Sequence, residues 1–285
     1  MVKRVLTLAL LCAVAHGVWA QTTYTASFAD GNDNTGWTID PTSTTAGSTV
    51  TVSYSGGHKV KSVTVEAKPS TVAQLVAAVD AADASALATL NSDYRGTIIG
   101  SDGMLYATAS DATDAGTTAS AIIVYLGKDA ETNETYNHGL ALALTDASTG
   151  AAWCSQTDTT CLETQYSPYG SPRYYTDMAG IANTDGLVGD AGHTHAAASA
   201  ARSYGTSRPS NTSDWFLPSA GQWYKMINAA GYSTLKTIAS MASAAYWSST
   251  EWDHGYVYGY EFRETGEQLT YPKNSTCHVR LVLAF

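Results

Sequence analysis

Tyr246-Trp247-Ser248-Ser249-Thr250-Glu251 runs directly into Trp252-Asp253-His254-Gly255-Tyr256-Val257-Tyr258-Gly259-Tyr260. Tyr256, Tyr258 and Tyr260 alternate, so an extended strand places all three on one face. Five Tyr and two Trp fall between positions 246 and 271, in a chain that holds 18 Tyr and 4 Phe. Two readings follow. Tyr among Ser, Gly, Asn and His is the composition of a binding surface, where rigid rings give contact area and small polar residues adapt their hydrogen bonds. Alternatively, the alternate rings are core, in which case each hydroxyl needs a partner. Composition alone leaves both open.

Working outward, Ser219-Ala220-Gly221-Gln222 has the form of a capping box, with Trp223, Met226, Ile227 and Ala230 on one helical face and Gly231 as the stop. Downstream, Leu281-Val282-Leu283-Ala284-Phe285 predicts a last strand tucked into the core. Between Arg95 and Leu144, residues 104–107, 121–126 and 140–144 read as strands; 145–195 reads as long ordered loops, and 196–203 as a short helix. Val72, Leu75, Val76 and Val79 share a face in an Ala-rich stretch that predicts one or two short helices. Further upstream, 23–28, 49–54 and 60–65 alternate apolar and polar residues between turn signals, and the last two are expected to pair as a hairpin. The fold class is therefore α+β. A small β-sandwich-like module (21–68) and a short helical connector (69–94) precede a large C-terminal domain (95–285).

The chain has 285 residues, a formal net charge of −10 and 14% charged residues, against about 25% in ordinary globular chains. That length fits one large or two modest domains. With 44% hydrophobic residues, it is too apolar for a disordered chain. An acidic balance argues against nucleic acid, which requires a basic footprint. Residues 1–20 read as a secretory signal peptide, with Lys3 and Arg4 before an apolar run and Val18-Trp19-Ala20 at the cleavage positions. A lipid anchor on Cys12 is disfavoured because Leu11 stands where a small residue is wanted. No later run is long enough for a membrane span. The expected location is secreted, with the cell surface as a variant. Export permits disulfides, and a Cys154–Cys161 bridge across the polar 155–160 loop is expected, which leaves Cys277 over.

A phosphate loop, a nucleophile elbow and paired CxxC motifs are all missing. His193-Thr194-His195 is a close His pair with Asp190 as the nearby acid. On a strand the two rings would share a face and could hold a metal. The expectation is instead that they cap the following helix or bond loop carbonyls. No catalytic residue, metal or cofactor is expected.

Three segments carry a resemblance: Asp214-Trp215-Phe216-Leu217-Pro218-Ser219-Ala220-Gly221-Gln222-Trp223, Tyr246 to Glu251, and Val279-Arg280-Leu281-Val282-Leu283-Ala284-Phe285. Together they resemble secreted and surface proteins of gut bacteria. Their ligand-binding domain has a C-type-lectin-like fold of the formylglycine-generating-enzyme subtype, and they include variable proteins of diversity-generating retroelements. The resemblance spans roughly 95–285, with Leu281 departing from an expected Pro. It implies a variable region at 246–285 in which Asn codons are diversified. Asp253, His254, Gly255, Tyr256, Tyr258, Gly259, Tyr271, Ser275, Thr276, Cys277 and His278 are reachable from such codons. It also implies a fixed scaffold of Tyr246 to Glu251, Phe262, Gly266, Lys273, Val279 and Arg280. The enzyme branch relies on paired cysteines or iron-binding His, and Cys277 has no partner Cys in its region. The expected ligand-binding residues are Trp252, Asp253, His254, Tyr256, Tyr258, Tyr260, Thr270, Tyr271, Asn274, Ser275, Cys277 and His278. The expected partner is a protein or glycan on another cell, a phage or a host. An undiversified fimbrial or envelope protein is the alternative.

Overall fold

The computed structural model describes residues 68–166, 173–260 and 267–285 in full, together with the strand backbones within 4–67 and the backbone of Glu261. Phe262 and Gly266 lie outside the described residues, as does most of the 1–20 segment read as a signal peptide. The N-terminal strands are β1 (Arg4–Leu8), β2 (Trp19–Ala20), β3 (Thr22–Phe28), β4 (Trp37–Asp40), β5 (Thr44–Thr45), β6 (Val50–Tyr54) and β7 (Val60–Ala67). The expected hairpin of β6 with β7 does not form. β7 pairs antiparallel with β3, while β6 pairs with β1 and β4. In the β3–β7 register Tyr24 faces Val65, Ala26 faces Val63 and Phe28 faces Val60. Matching apolar with apolar positions over a long ladder outweighs proximity in sequence.

Two helices follow, α1 (Val72–Ala81) and α2 (Ala84–Tyr94). The Thr71 hydroxyl accepts from the Gln74 N–H (3.1 Å) and the Asp83 carboxylate from the Ala86 N–H (2.9 Å), so side chains satisfy donors that each first turn leaves over. Val72, Leu75 and Val79 are buried, as the helical spacing predicts, in one cluster with Ile99, Leu105 and Ile123.

The domain that follows is α+β, with two five-stranded sheets. The first contains β8 (Ile98–Gly100), β9 (Leu105–Tyr106), β10 (Ala119–Leu126), β11 (Gly139–Ala143) and β17 (Val282–Ala284), in the order β17-β11-β10-β8-β9. The second contains β12 (Ser148–Ala152), β13 (Ala245–Glu251), β14 (Tyr256–Glu261), β15 (Glu267–Pro272) and β16 (Thr276–Val279), in the order β12-β16-β13-β14-β15. Helices α3 (Ala109–Asp114), α4 (Gly180–Gly189), α5 (Ala196–Arg202), α6 (Ala220–Ala230) and α7 (Tyr232–Ile238) complete it. Both faces of the first sheet are covered. Ile99, Ile123, Ala141 and Leu283 belong to one buried cluster, and Ile98, Ile122, Leu142 and Val282 to a second. That double burial is why the strands read as continuous apolar runs rather than alternating ones.

The expected loop stretch 145–195 contains β12 and α4. Helix α4 was hidden because Gly-Ile-Ala-Asn-Thr-Asp-Gly-Leu-Val-Gly has weak helix propensity. Gly180 is required sterically: a Cβ there would stand 2.6 Å from the Phe216 ring and 2.2 Å from Gln222 Oε1.

The three segments that carry the resemblance interlock. Phe216 and Val282 exchange both backbone hydrogen bonds at 3.0 Å, which covers the outer edge of β17. The Ser249 N–H donates to the Pro218 carbonyl (2.9 Å), and the Trp223 indole donates to the Trp247 carbonyl (3.1 Å). The Ser219–Gln222 capping box is present, and Gly231 stops α6 at φ 76°, a left-handed backbone that favours glycine.

Candidate functional site

Glu251 ends β13, and Lys273 follows β15. Their side chains form an ion pair, and both are fully buried. Taking two charges out of water is tolerable only when their remaining donors and acceptors are also satisfied. The Glu251 carboxylate accepts from the backbone N–H of Cys161 (3.0 Å) and of Leu162 (2.8 Å). The Lys273 ammonium also donates to the Thr159 carbonyl and lies 5.4 Å from the Trp153 ring centroid. One pair therefore pins the 159–162 loop, the end of β13 and the turn after β15 to one another.

Main-chain bonds extend this frame. The Lys273 N–H donates to the Gly255 carbonyl (3.1 Å), the Thr159 N–H to the His254 carbonyl (3.0 Å) and the Tyr166 N–H to the Glu251 carbonyl (3.0 Å). Within the 252–256 turn, Asp253 Oδ1 accepts from the Gly255 N–H (2.7 Å) and the Tyr256 N–H (2.8 Å), the self-bonding that makes Asp a turn residue. Trp252, Asp253, His254, Tyr256, Asn274 and Ser275 come together at this end of the second sheet. His254, Tyr256 and Asn274 are exposed, and the other three are half-buried. The Tyr256 and Trp252 rings meet edge-on at 5.5 Å, and His254 Nε2 lies 3.2 Å from Asp158 Oδ1 at the surface.

The structure disperses the other expected ligand residues. Thr270 and Tyr271 lie half-buried on β15, where Tyr271 packs edge-on against Trp247 at 5.9 Å. His278 is half-buried near the opposite end of β13. Its Nδ1 is 2.7 Å from Asp146 Oδ2, and its ring is 5.2 Å from Tyr246, five strand residues or about 16 Å from Glu251. Tyr258, Tyr260 and Cys277 are corrections. Their exposures are 1%, 2% and 4%, against 42% for Tyr256. The Tyr258 hydroxyl donates to the Tyr166 carbonyl and the Tyr260 hydroxyl to the Ala220 carbonyl, both at 2.7 Å. Burial also pushes both hydroxyl pKa values upward. These rings are core whose polar tips are satisfied, so they are not part of the exposed surface.

The sequence reading did not single out a second group of tyrosines, which packs over the buried Tyr258. Tyr174 covers Tyr258 at 5.0 Å, Tyr175 meets Tyr174 at 5.4 Å, and Tyr175 meets Tyr224 at 5.6 Å. Tyr175 and Tyr224 are both exposed. Their signal was the adjacent Tyr174-Tyr175 pair and a Tyr on the polar side of α6.

Cys154 and Cys161, expected as a disulfide, stand as thiols whose sulfurs face each other at 3.7 Å. Burial pushes the Cys161 thiol up to about 12, with Lys273 pulling the other way. The His pair adopts part of the expected bonding: His195 Nδ1 lies 3.2 Å from the Trp153 carbonyl, at the start of α5.

No family model matches the sequence, and no curated protein matches it. Among solved structures, a fimbrial protein from Bacteroides ovatus ATCC 8483 superposes with a TM-score of 0.48 at 19% identity. The match covers 67% of this chain and 48% of that one, so it spans about half the length of that protein. Among the described residues, no helix is long and apolar enough to cross a membrane.

Proposed function

We propose that this chain is an exported ligand-binding protein, and that its contact face is the loop end formed by residues 252–256 and 274–276. The observation that carries the reading is exposed His254, Tyr256 and Asn274 mounted on backbone fixed by the buried Glu251–Lys273 pair. Rigid backbone beneath exposed aromatic and amide side chains lowers the entropy lost on binding. Trp252, the exposed Tyr175–Tyr224 pair and the surface His254–Asp158 pair suit a protein or glycan ligand. The C-type-lectin-like reading rests on the three interlocking segments.

Of the positions that the resemblance marks as diversified, His254, Tyr256 and Thr276 are exposed, and Asp253, Gly255, Tyr271, Ser275 and His278 are half-buried. Gly259 cannot vary freely, because a Cβ there would stand 2.8 Å from the Tyr271 ring. Tyr258 and Cys277 are buried. The burial of Tyr258 and Tyr260 favours a second reading, an undiversified surface structural protein of fimbrial or envelope type.

Two experiments separate these readings. The full chain is applied to a glycan array and to intact gut bacterial cells beside an H254A/Y256S variant. The binding reading expects retention that the variant loses, and equal retention by both proteins contradicts it. Sequencing the DNA beside the gene then looks for a near-identical template with adenines at codons 253–256 and 274–276. Its absence removes diversification and leaves binding to stand on the first result.

A further inference from the structure

Beside Trp153, whose ring meets His195 edge-on at 5.5 Å, lies a second cluster of side chains that the proposed contact face does not use. Asp190, in the turn after α4, places Oδ2 2.6 Å from His193 Nδ1 and 3.0 Å from His195 Nε2. The three ligand atoms lie within 4.8 Å of one another. His195 is buried, while His193 and Asp190 keep about a quarter and a fifth of their side chains open to solvent.

The hydrogen bonding around His195 is informative. Its Nδ1 faces the Trp153 carbonyl at 3.2 Å, so Nδ1 carries the proton and donates. Its Nε2 is thereby turned toward Asp190 Oδ2 at 3.0 Å, into the space shared with His193. The Asp190 carboxylate is itself oriented, because its Oδ1 accepts from the Gly192 N–H at 2.8 Å. A carbonyl holding the far nitrogen of a ligating His, and an amide holding the far oxygen of a ligating carboxylate, are the outer partners that metal sites use.

We propose that Asp190, His193 and His195 bind one divalent transition-metal ion, with zinc as the best fit. Two imidazoles and one carboxylate suit zinc and its neighbours better than calcium or magnesium, which prefer oxygen ligands. The open side at His193 and Asp190 leaves a fourth position for water. Cys154 and Cys161 also come within 4.8 Å of His195. That alternative is weaker: the Lys273 ammonium lies 3.9 Å from the Cys161 sulfur and repels a cation there.

The test uses the reduced full chain, dialysed against Zn²⁺ alone, with bound metal counted by mass spectrometry and affinity measured by calorimetry. Wild type is expected to retain one equivalent. H193A and D190N change partly exposed residues, which protects the fold, and each is expected to weaken binding at least about 10-fold, the loss that even an outer partner causes. A C154S/C161S variant is expected to keep the full equivalent, and Co²⁺ substitution is expected to give no thiolate charge-transfer band. Three results would overturn the site: no retained metal in the wild type, unchanged affinity in H193A and D190N, or a thiolate band that disappears with the cysteines.

Discussion

Tyr256 and Tyr258 are two residues apart on one face of one strand, yet they belong to different parts of the molecule. Tyr258 is covered by Tyr174 and donates its hydroxyl to the Tyr166 carbonyl, whereas Tyr256 is exposed and meets the Trp252 ring edge-on. The same amino acid is core at one position and surface at the next. The strand's period sets the shared face, but segments far away in sequence decide how much of that face is hidden. A tyrosine-rich segment therefore divides into a buried scaffold (Tyr246, Tyr258, Tyr260) and an exposed end (His254, Tyr256, Asn274) beside half-buried Trp252.

The sharpest way to break this division is to remove the pair that holds the exposed end in place. Lys273→Met leaves Glu251 as an unpaired buried charge and is expected to destabilise the domain by about 3–5 kcal/mol, read from urea denaturation midpoints. An effect under about 1 kcal/mol would mean that the pair is solvated and does not organise the loops. On the scaffold side, Tyr260→Ala removes a ring held between Trp223 and the Ala220 carbonyl. Its expected cost is about 3–4 kcal/mol by the same measurement. Gly259→Ala pushes a methyl group into the Tyr271 ring and is expected to cost about 1–3 kcal/mol. A neutral result would show that Tyr271 moves aside and that this position is open to variation. The smallest effect belongs to the exposed end: Tyr256→Ser is expected to change stability by less than about 0.5 kcal/mol.

Sequence legibility followed the range of the interaction. Local signals were readable: the Ser219–Gln222 capping box, the Gly231 stop, the Val72–Leu75–Val79 face and the buried C-terminal strand all appear as expected. What the sequence hid depends on distant partners. Strand β6 pairs with β1 and β4 rather than with its neighbour β7, because register over several residues outweighs nearness. Helix α4 forms despite three glycines, one of which fits where no side chain can. The cover over Tyr258 comes from Tyr166 and Tyr174, some ninety residues upstream in a stretch without periodicity. Glu251 and Lys273 both belong to the scaffold that the resemblance implies, but their pairing across 22 residues has no local signal.

The division of the tyrosine-rich segment is tested most directly by nitrating the folded full chain with tetranitromethane and mapping modified tyrosines by mass spectrometry. Tyr256, Tyr175 and Tyr224 are predicted to be modified, with Tyr246, Tyr258 and Tyr260 protected until the protein unfolds. Modification of Tyr258 or Tyr260 in the folded protein, at the rate seen for Tyr256, would contradict the account.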